Sequence, residues 1–297
     1  MQLACIHTHT VFCDGKDDVE TCCQRAHEKG LGSIGFSSHA PITPKTGLPT
    51  IFQVPIEKLE DYITTVRAAQ KRWKDRLPVY LGLEVDFIPG LMGPADRDYR
   101  EMGLDFIIGS VHYVVPPHGQ PFTVDDSAEN VDRGIKEEFG GDPLAMVESY
   151  WNSQEALIRA GGFDILAHPD LIKKNNSHNR LFSEDDDSYR RRTAAVAALM
   201  AVQPTDKNNR PVTPVAEINT GGWNRGKIKD CYPSSFFLEK FREKGIPMII
   251  NADAHRAEDL GGHYEEARAA LLAAGYTETV VFEGRKNGRA VWGKVKL

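Results

Sequence analysis

The sequence predicts a single-domain α/β protein whose parallel sheet closes into a barrel. Apolar segments of strand length alternate with helical segments in seven strand-then-helix units. This alternation implies right-handed βα crossovers and a parallel sheet. Polar residues repeatedly follow the carboxyl ends of these strands, and a closed barrel brings such ends round one mouth, whereas an open sheet leaves the outer ends far apart. A chain of 297 residues is within the size that single α/β barrels reach.

In the first half of the chain, each predicted strand ends near a histidine or a carboxylate. The strands are expected at residues 3–9, 33–41, 79–87 and 105–112. A helix is expected from Val19 to Lys29, because Asp17 or Asp18 can cap its start and Gly30 follows its end. Further helices are expected at 57–73 and, as a short one, at 94–103.

The second half begins with a polar and acidic excursion at residues 115–142, which we interpret as a lid-like surface insertion. Regular alternation then resumes. Helices are expected at 143–160, about 185–202, 234–244 and 264–274. The strands of this half are expected at 163–167, 214–219, 247–251 and 279–282.

The composition is that of a globular protein in a reducing compartment. Hydrophobic residues make up 41% of the chain and charged residues 26%. Neither a signal peptide nor an apolar window of about 18 residues, long enough to span a bilayer, is present, so we expect a cytoplasmic protein. The five cysteines form no C-x-x-C pair and are expected to be free thiols.

The charge pattern argues against a nucleic-acid or membrane partner. The formal net charge is −6, and no run rich in lysine and arginine of the nucleic-acid-binding type is present. A small anionic ligand is still compatible with this balance, because a metal cluster supplies local positive charge. The sequence leaves the oligomeric state open.

The first strand carries the motif that suggests a metal site. His7 and His9 are two residues apart, so that on an extended strand their side chains point to the same face. The turn at Asp14-Gly15 returns a carboxylate to the same strand end. Alone, this H-x-H motif is a weak signal, but the pattern recurs at later strand ends. The full set is His7, His9, Asp14, His39, Glu84, His112, His168, Asp253 and His255.

A mixture of imidazole and carboxylate ligands indicates zinc, iron or manganese, whereas calcium and magnesium favour oxygen ligands alone. Nine ligands exceed what one ion uses, so we expect two to three divalent ions with a carboxylate bridging them. Glu84, placed inside an apolar strand, is the bridging candidate. Four other histidines, in helices or loops, are expected to be ordinary residues, with His178 the strongest exception because its loop borders the barrel mouth: His27, His118, His178 and His263.

Taken together, these motifs resemble the PHP (polymerase and histidinol phosphatase) superfamily, and within it the stand-alone histidinol-phosphate phosphatases. The resemblance covers essentially the whole chain in the family's order. The motifs are His7-Thr8-His9, Asp14-Gly15, Ser38-His39-Ala40-Pro41, Gly82-Leu83-Glu84, Gly109-Ser110-Val111-His112, His168-Pro169 and Asp253-Ala254-His255.

The resemblance implies a distorted (β/α)7 barrel with a trinuclear site. It places His7, His9, Glu84 and Asp253 on a first metal, Glu84, His112 and His168 on a second, and Asp14, His39 and His255 on a third. Ser38 stands where the family often has Glu, and Asn251 where Ser is common, but neither change removes a ligand.

We therefore expect a metal-dependent phosphomonoesterase that hydrolyses L-histidinol phosphate in histidine biosynthesis, by attack of a metal-bridging hydroxide. The catalytic residues would be Glu84, Asp253 and His255, and the substrate-binding residues Arg225, Lys173 and His178. Lys174 is an alternative to Lys173 as a phosphate donor. A nuclease or phosphoesterase acting on a nucleotide or another phosphate ester, and a non-enzymatic metal-binding domain, remain as alternatives.

Overall fold

Parallel strands run through the chain and form one central sheet. The computed structural model describes residues 3–202 and 214–297. The strands are β1 (Ala4–Cys5), β2 (Ser33–Phe36), β3 (Val79–Asp86), β4 (Phe106–Ser110), β5 (Tyr113–Val114), β6 (Phe122–Thr123), β7 (Ile165–Leu166), β8 (Val215–Asn219), β9 (Met248–Asn251), β10 (Glu278–Lys286) and β11 (Arg289–Lys296). The α-helices are α1 (Val19–Glu28), α2 (Leu59–Trp73), α3 (Arg97–Glu101), α4 (Ala128–Glu138), α5 (Pro143–Ala160), α6 (Asp187–Ala201), α7 (Gly221–Asn224), α8 (Ser235–Glu243) and α9 (Tyr264–Ala273).

The main sheet has the strand order β1-β2-β3-β4-β7-β8-β9-β10-β11. All neighbours in it are parallel except β10 and β11, which form an antiparallel hairpin. The chain just after β1 also meets the chain just after β9. There the amide of His9 donates to the carbonyl of Ala254 at 2.8 Å, and the amide of Ala254 donates to the carbonyl of His7 at 3.1 Å. The predicted α/β fold with a mostly parallel sheet is confirmed.

Local signals explain where several helices begin and end. The side chain of Asp18 accepts a hydrogen bond from the amide of Thr21 at 2.7 Å and caps α1, as predicted. Gly30 follows that helix with a φ of +71°, a conformation that glycine adopts without strain. Asp142 caps α5 in the same way, and Pro143 occupies the first helical position, where no amide donor is needed.

Small residues on one face of the sheet admit a large ring from a neighbouring strand. A Cβ atom on Gly82 would lie 2.5 Å from the ring of Phe106, and one on Gly35 would lie 2.9 Å from it. Phe106 is fully buried and packs with Ile6, Ile108 and other apolar side chains of the parallel strands. The carboxylate of Glu84 comes from the same strand as Gly82 and, with period two, from the same face.

The structure adds regular elements that the sequence analysis did not predict. The insertion at 115–142 contains β6, which pairs with β5 just before the insertion, and the whole of α4, whose start is capped by Ser127. The predicted strand at 279–282 is longer and turns back into β11. The turn is Asn287-Gly288, with φ values of +53° and +77°, and Asn-Gly is the strongest short signal of a hairpin.

No helix within residues 3–202 and 214–297 is both long and apolar enough to cross a membrane. The five cysteines are free, in agreement with the prediction.

We predict that Gly82→Ala destabilises the fold by about 1–3 kcal/mol, because the added methyl group overpacks the site next to Phe106. The measurement is equilibrium denaturant unfolding of the wild type, Gly82→Ala, Phe106→Leu and the double variant. The double variant should cost less than the sum of the two single variants, because the smaller leucine vacates the space that the methyl group needs. Strictly additive costs would contradict the close packing.

Candidate metal centre

The ends of the parallel strands bring all nine predicted metal ligands to one place. β1, β2, β4, β7 and β9 each run into a segment that carries at least one of them, and β3 itself carries Glu84. Their nitrogen and oxygen atoms form overlapping groups whose members lie within 4.8 Å of one another. The groups are His7, His9 and Asp253; His7, Glu84 and His168; His9, Asp14, His39 and His255; and His39, Asp86 and His112.

The first part of the cluster lies where β1, β3 and β9 end. Oδ1 of Asp253 lies 3.1 Å from Nε2 of His9 and 3.6 Å from Nε2 of His7. Oε2 of Glu84 lies 3.2 Å from Nε2 of His7 and 3.4 Å from Nε2 of His9. Two imidazole nitrogens thus face two carboxylate oxygens across a space of atomic size.

The second part lies on the other side of the same glutamate. Oε1 of Glu84 lies 3.0 Å from Nε2 of His168 and 3.6 Å from Nε2 of His112. Because one oxygen of Glu84 faces the first part and the other faces the second, its carboxylate has the geometry of a bridge between two cations.

The third part lies nearer to solvent. Oδ2 of Asp14 lies 3.1 Å from Nε2 of His255, and its Oδ1 lies 3.8 Å from Nε2 of His39. Nδ1 of His39 faces Oε2 of Glu84 at 3.0 Å, so that this imidazole joins the third part to the bridge. The side chain of Asp14 is 32% exposed, whereas that of Glu84 is buried.

The chemistry of this donor set fits divalent cations. Six buried atoms of the cluster have no hydrogen-bond partner among the described residues, and an unsatisfied buried polar atom costs about 1–3 kcal/mol. Cations in the spaces between these residues would satisfy five of the atoms, the exception being Nδ1 of His168, whose ring faces Glu84 with its other nitrogen. The atoms are Nε2 of His7, Nε2 of His9, Oδ1 of Asp14, Nδ1 of His39, Oε2 of Glu84 and Nδ1 of His168.

The pKa shifts of the cluster residues also indicate a site for positive charge. Burial by itself would lower the pKa of His7, but the carboxylates of Glu217 and Glu84 outweigh it and raise that pKa well above its ordinary value. Burial would raise the pKa of Glu84, but His39, His7 and His112 hold it well below its ordinary value. The carboxylates therefore stay ionised and attract positive charge, which either protons or metal ions can supply.

Glu217, on β8, orients the cluster from behind and was missed by the sequence analysis. Its buried carboxylate accepts a hydrogen bond from Nδ1 of His7 at 2.9 Å and another from the backbone amide of His168 at 3.0 Å. The side-chain amides of Asn219 and Asn251 donate to the same carboxylate at 2.7 and 2.9 Å. Since Nδ1 of His7 holds the proton, its Nε2 lone pair is directed into the cluster.

Asp86 does the same for His112 and was also missed. Nδ1 of His112 donates to Oδ1 of Asp86 at 2.7 Å, which leaves Nε2 free to face Glu84. Asp86 follows Glu84 by two residues and so lies on the same face of β3. That spacing was a usable signal. Glu217 offered a weaker one, a single carboxylate within an apolar strand, like Glu84 itself.

The three predicted substrate-binding residues differ in their surroundings. Arg225 lies beside the cluster, with its guanidinium 3.2 Å from Oδ2 of Asp253 and 2.6 Å from Nδ1 of His255. Lys173 is buried and donates to the carbonyl of Cys231 at 2.7 Å. His178 is exposed in a short 3₁₀ turn. Within the described part of the chain, no hydrogen bond, ion pair or ring contact joins Lys173 or His178 to the nine cluster residues.

Comparison with known proteins gives relatives that span nearly the whole chain. A protein of Deinococcus radiodurans named "Probable histidinol-phosphatase" is 28% identical over 281 residues, which cover 94% of this chain and 96% of that protein. A histidinol-phosphatase of Bacillus subtilis is 24% identical over 269 residues, covering 87% of this chain and 96% of that protein.

A solved structure shares the fold. The histidinol phosphate phosphatase of Lactococcus lactis subsp. lactis, crystallised with zinc, L-histidinol and phosphate, aligns with a TM-score of 0.63 at 18% identity. The alignment covers 98% of this chain and 99% of that one. The family model of the PHP domain matches residues 6–203, well over half of the sequence. The chain therefore belongs to the PHP domain family.

Proposed function

We propose that this protein is a metal-dependent phosphatase that hydrolyses L-histidinol phosphate to L-histidinol and phosphate, a reaction of histidine biosynthesis. The observation that carries the proposal is the cluster of imidazoles and carboxylates at the strand ends, with five buried and unsatisfied ligand atoms directed inward. Relatives that cover nearly all of the chain are named histidinol-phosphatase. The Lactococcus lactis structure of the same fold was crystallised with zinc, L-histidinol and phosphate.

The nine cluster residues are proposed to hold two to three divalent ions of zinc, iron or manganese, with Glu84 as the bridge. Such ions supply the positive charge and Lewis acidity that hydrolysis of a phosphate monoester needs. We further propose catalytic roles for Glu84, Asp253 and His255. Asp253 lies 3.5 Å from His255, and both Asp253 and Glu84 face Nε2 of His7. The ligand assignment is supported by the grouping of donor atoms on either side of Glu84.

The residues around the cluster have separate tasks in this proposal. Glu217 and Asp86 fix the tautomers of His7 and His112, so that the nitrogen facing the cluster carries a lone pair. Arg225 presents a guanidinium beside Asp253, where it can donate to a phosphoryl oxygen of the substrate. Its side chain is 25% exposed, so the guanidinium is within reach of a ligand from solvent.

The proposal extends to the architecture of the whole chain. We infer that the seven parallel strands from β1 to β9 form a distorted (β/α)7 barrel within one domain, supported by the hydrogen bonds between the chain ends of β1 and β9. The insertion at 115–142 is proposed to act as a lid. Lys174, from the loop after β7, donates to the carbonyl of Asp125 at 2.6 Å and so joins the insertion to that loop.

The first test is steady-state hydrolysis of L-histidinol phosphate, a generic aryl phosphate, a nucleotide and single-stranded DNA, with metal content measured on the same sample. We expect a large preference in kcat/KM for L-histidinol phosphate and two to three bound ions. Bound ions with equally slow turnover of every ester would contradict the substrate assignment while leaving the metal site in place.

Removal of the metal should destabilise the protein, because the folded state then loses the free energy of binding the ions. At a thousandfold excess of free ion over its Kd, binding stabilises by roughly 4 kcal/mol per ion, so that chelation should lower the Tm by roughly 10 °C or more. Differential scanning calorimetry before and after chelation, and again after adding zinc, measures the effect. An unchanged Tm in metal-free protein would be evidence against a buried metal cluster.

Glu217→Gln should lower the affinity for metal about tenfold to a hundredfold, because the neutral amide holds the proton of His7 less firmly than the carboxylate does. Competition against a chromophoric chelator gives the affinity. Glu239→Gln, at an exposed position on α8, is the matched control and should leave it unchanged. Equal affinities in the two variants would show that Glu217 has no orienting role.

A further inference from the structure

Tyr232 lies beside the cluster although its sequence position, in a loop before α8, gives no sign of this. Its backbone pairs with Asn219 at the carboxyl end of β8, through hydrogen bonds of 2.6 and 2.9 Å in the two directions. β8 is the strand that carries Glu217. The aromatic ring of Tyr232 stands edge-on to the imidazole of His168, with 6.4 Å between ring centroids.

The hydroxyl of Tyr232 is a buried polar group without a partner. The residue is 1% exposed, and its hydroxyl oxygen has no hydrogen bond within the described part of the chain. Other buried tyrosines nearby are satisfied, since Tyr150 contacts the amide of Leu171 and Tyr189 donates to Asp170. An unsatisfied buried hydroxyl lowers stability. A bound ligand that accepts a hydrogen bond from this hydroxyl would remove that cost.

Two consecutive glycines approach both this hydroxyl and Asp253 of the cluster. A Cβ atom on Gly222 would lie 2.9 Å from the hydroxyl oxygen of Tyr232. A Cβ atom on Gly221 would lie 2.8 Å from Oδ2 of Asp253, the oxygen that Arg225 contacts at 3.2 Å. The Gly221-Gly222 segment therefore closely approaches both the tyrosine hydroxyl and the Asp253 carboxylate, which puts these two groups in one neighbourhood.

Lys173 holds the segment that carries Tyr232. Its ammonium donates to the carbonyl of Cys231 and lies 5.4 Å from the centroid of the Tyr232 ring. The same ammonium lies 3.5 Å from carboxylate oxygens of Asp170 and Asp230. With its charge committed in this way, Lys173 packs against the Tyr232 ring and is not a free cation.

We infer that the Tyr232 hydroxyl donates a hydrogen bond to a phosphoryl oxygen of the substrate, next to the Arg225 guanidinium. The inference rests on the proposed phosphatase function and adds a substrate-binding residue to it. A tyrosine hydroxyl keeps its proton at neutral pH and can therefore act as a donor. No bond of the tyrosine is made or broken in this role.

The test is Tyr232→Phe in the metal-loaded protein. The value of kcat/KM for L-histidinol phosphate should fall about tenfold to a hundredfold, the effect of losing one hydrogen bond to a charged group. The inhibition constant of inorganic phosphate should rise by a similar factor. Metal content should stay the same and the Tm should stay the same or rise, because an unsatisfied buried hydroxyl has been removed.

Tyr276→Phe is the matched control. Tyr276 is also buried, but its hydroxyl donates to the carbonyl of Ile246 at 3.0 Å, at the opposite end of β9 from the cluster. This variant should lower the Tm and leave kcat/KM unchanged. A second variant, Gly222→Ala, should lower kcat/KM by pushing the Tyr232 ring aside, and should have a much smaller effect when position 232 is already phenylalanine.

The inference is overturned if Tyr232→Phe keeps the wild-type kcat/KM and phosphate inhibition, or if its activity falls only together with metal content or Tm. Failure of the proposed function looks different, since the wild type itself would then not prefer L-histidinol phosphate. In that case inorganic phosphate binding, measured by calorimetry on the metal-loaded wild type and Tyr232→Phe, still decides whether the hydroxyl binds a phosphoryl group.

Discussion

The carboxylate of Glu84 is the contact on which the rest of the site depends. It is buried in the sheet, and five imidazoles approach its two oxygens from three sides. Backbone pairing fixes its position, because the amide of Ala40 donates to the carbonyl of Glu84 at 2.7 Å and so sets β3 against the segment that follows β2. A buried carboxylate in this setting needs cationic partners, and the strand ends provide the groups that can bind them.

Hydrogen bonds on the side of the imidazoles away from the cluster orient these rings. Glu217 and Asp86 each accept the proton of one ring nitrogen, and the backbone carbonyl of Asp253 lies 3.0 Å from Nδ1 of His255. In His7 the outer nitrogen is therefore satisfied, whereas the inner nitrogen, Nε2, has no hydrogen-bond partner among the described residues. A positive charge within the cluster satisfies the inward-facing atoms. The hydrogen bonds behind the rings therefore preorganise the cluster as a cation-binding site.

Much of the fold and of the cluster could be predicted because local signals and the strand-end pattern agree. Caps such as Asp18 and Asp142 mark helix starts, and histidines recur where apolar runs end. Residues whose role depends on a distant partner could not be found this way. Glu217 meets His7 across 210 positions of sequence, and Tyr232 reaches the site through a loop. Lys173 was predicted to bind phosphate, and the sequence could not reveal that its ammonium contacts the buried carboxylate of Asp170 and the carbonyl of Cys231.

The cluster itself carries little information about which phosphate ester binds, because its groups are directed at cations or at one another. Discrimination must therefore come from the rim. There Asp125 of the insertion keeps a pKa below its ordinary value, since Lys174 and His112 outweigh the effect of its burial. An ionised carboxylate at this position suits the ammonium of L-histidinol phosphate, the proposed substrate, better than it suits a nucleic acid, because a polyanion is repelled by a carboxylate and needs a cationic track.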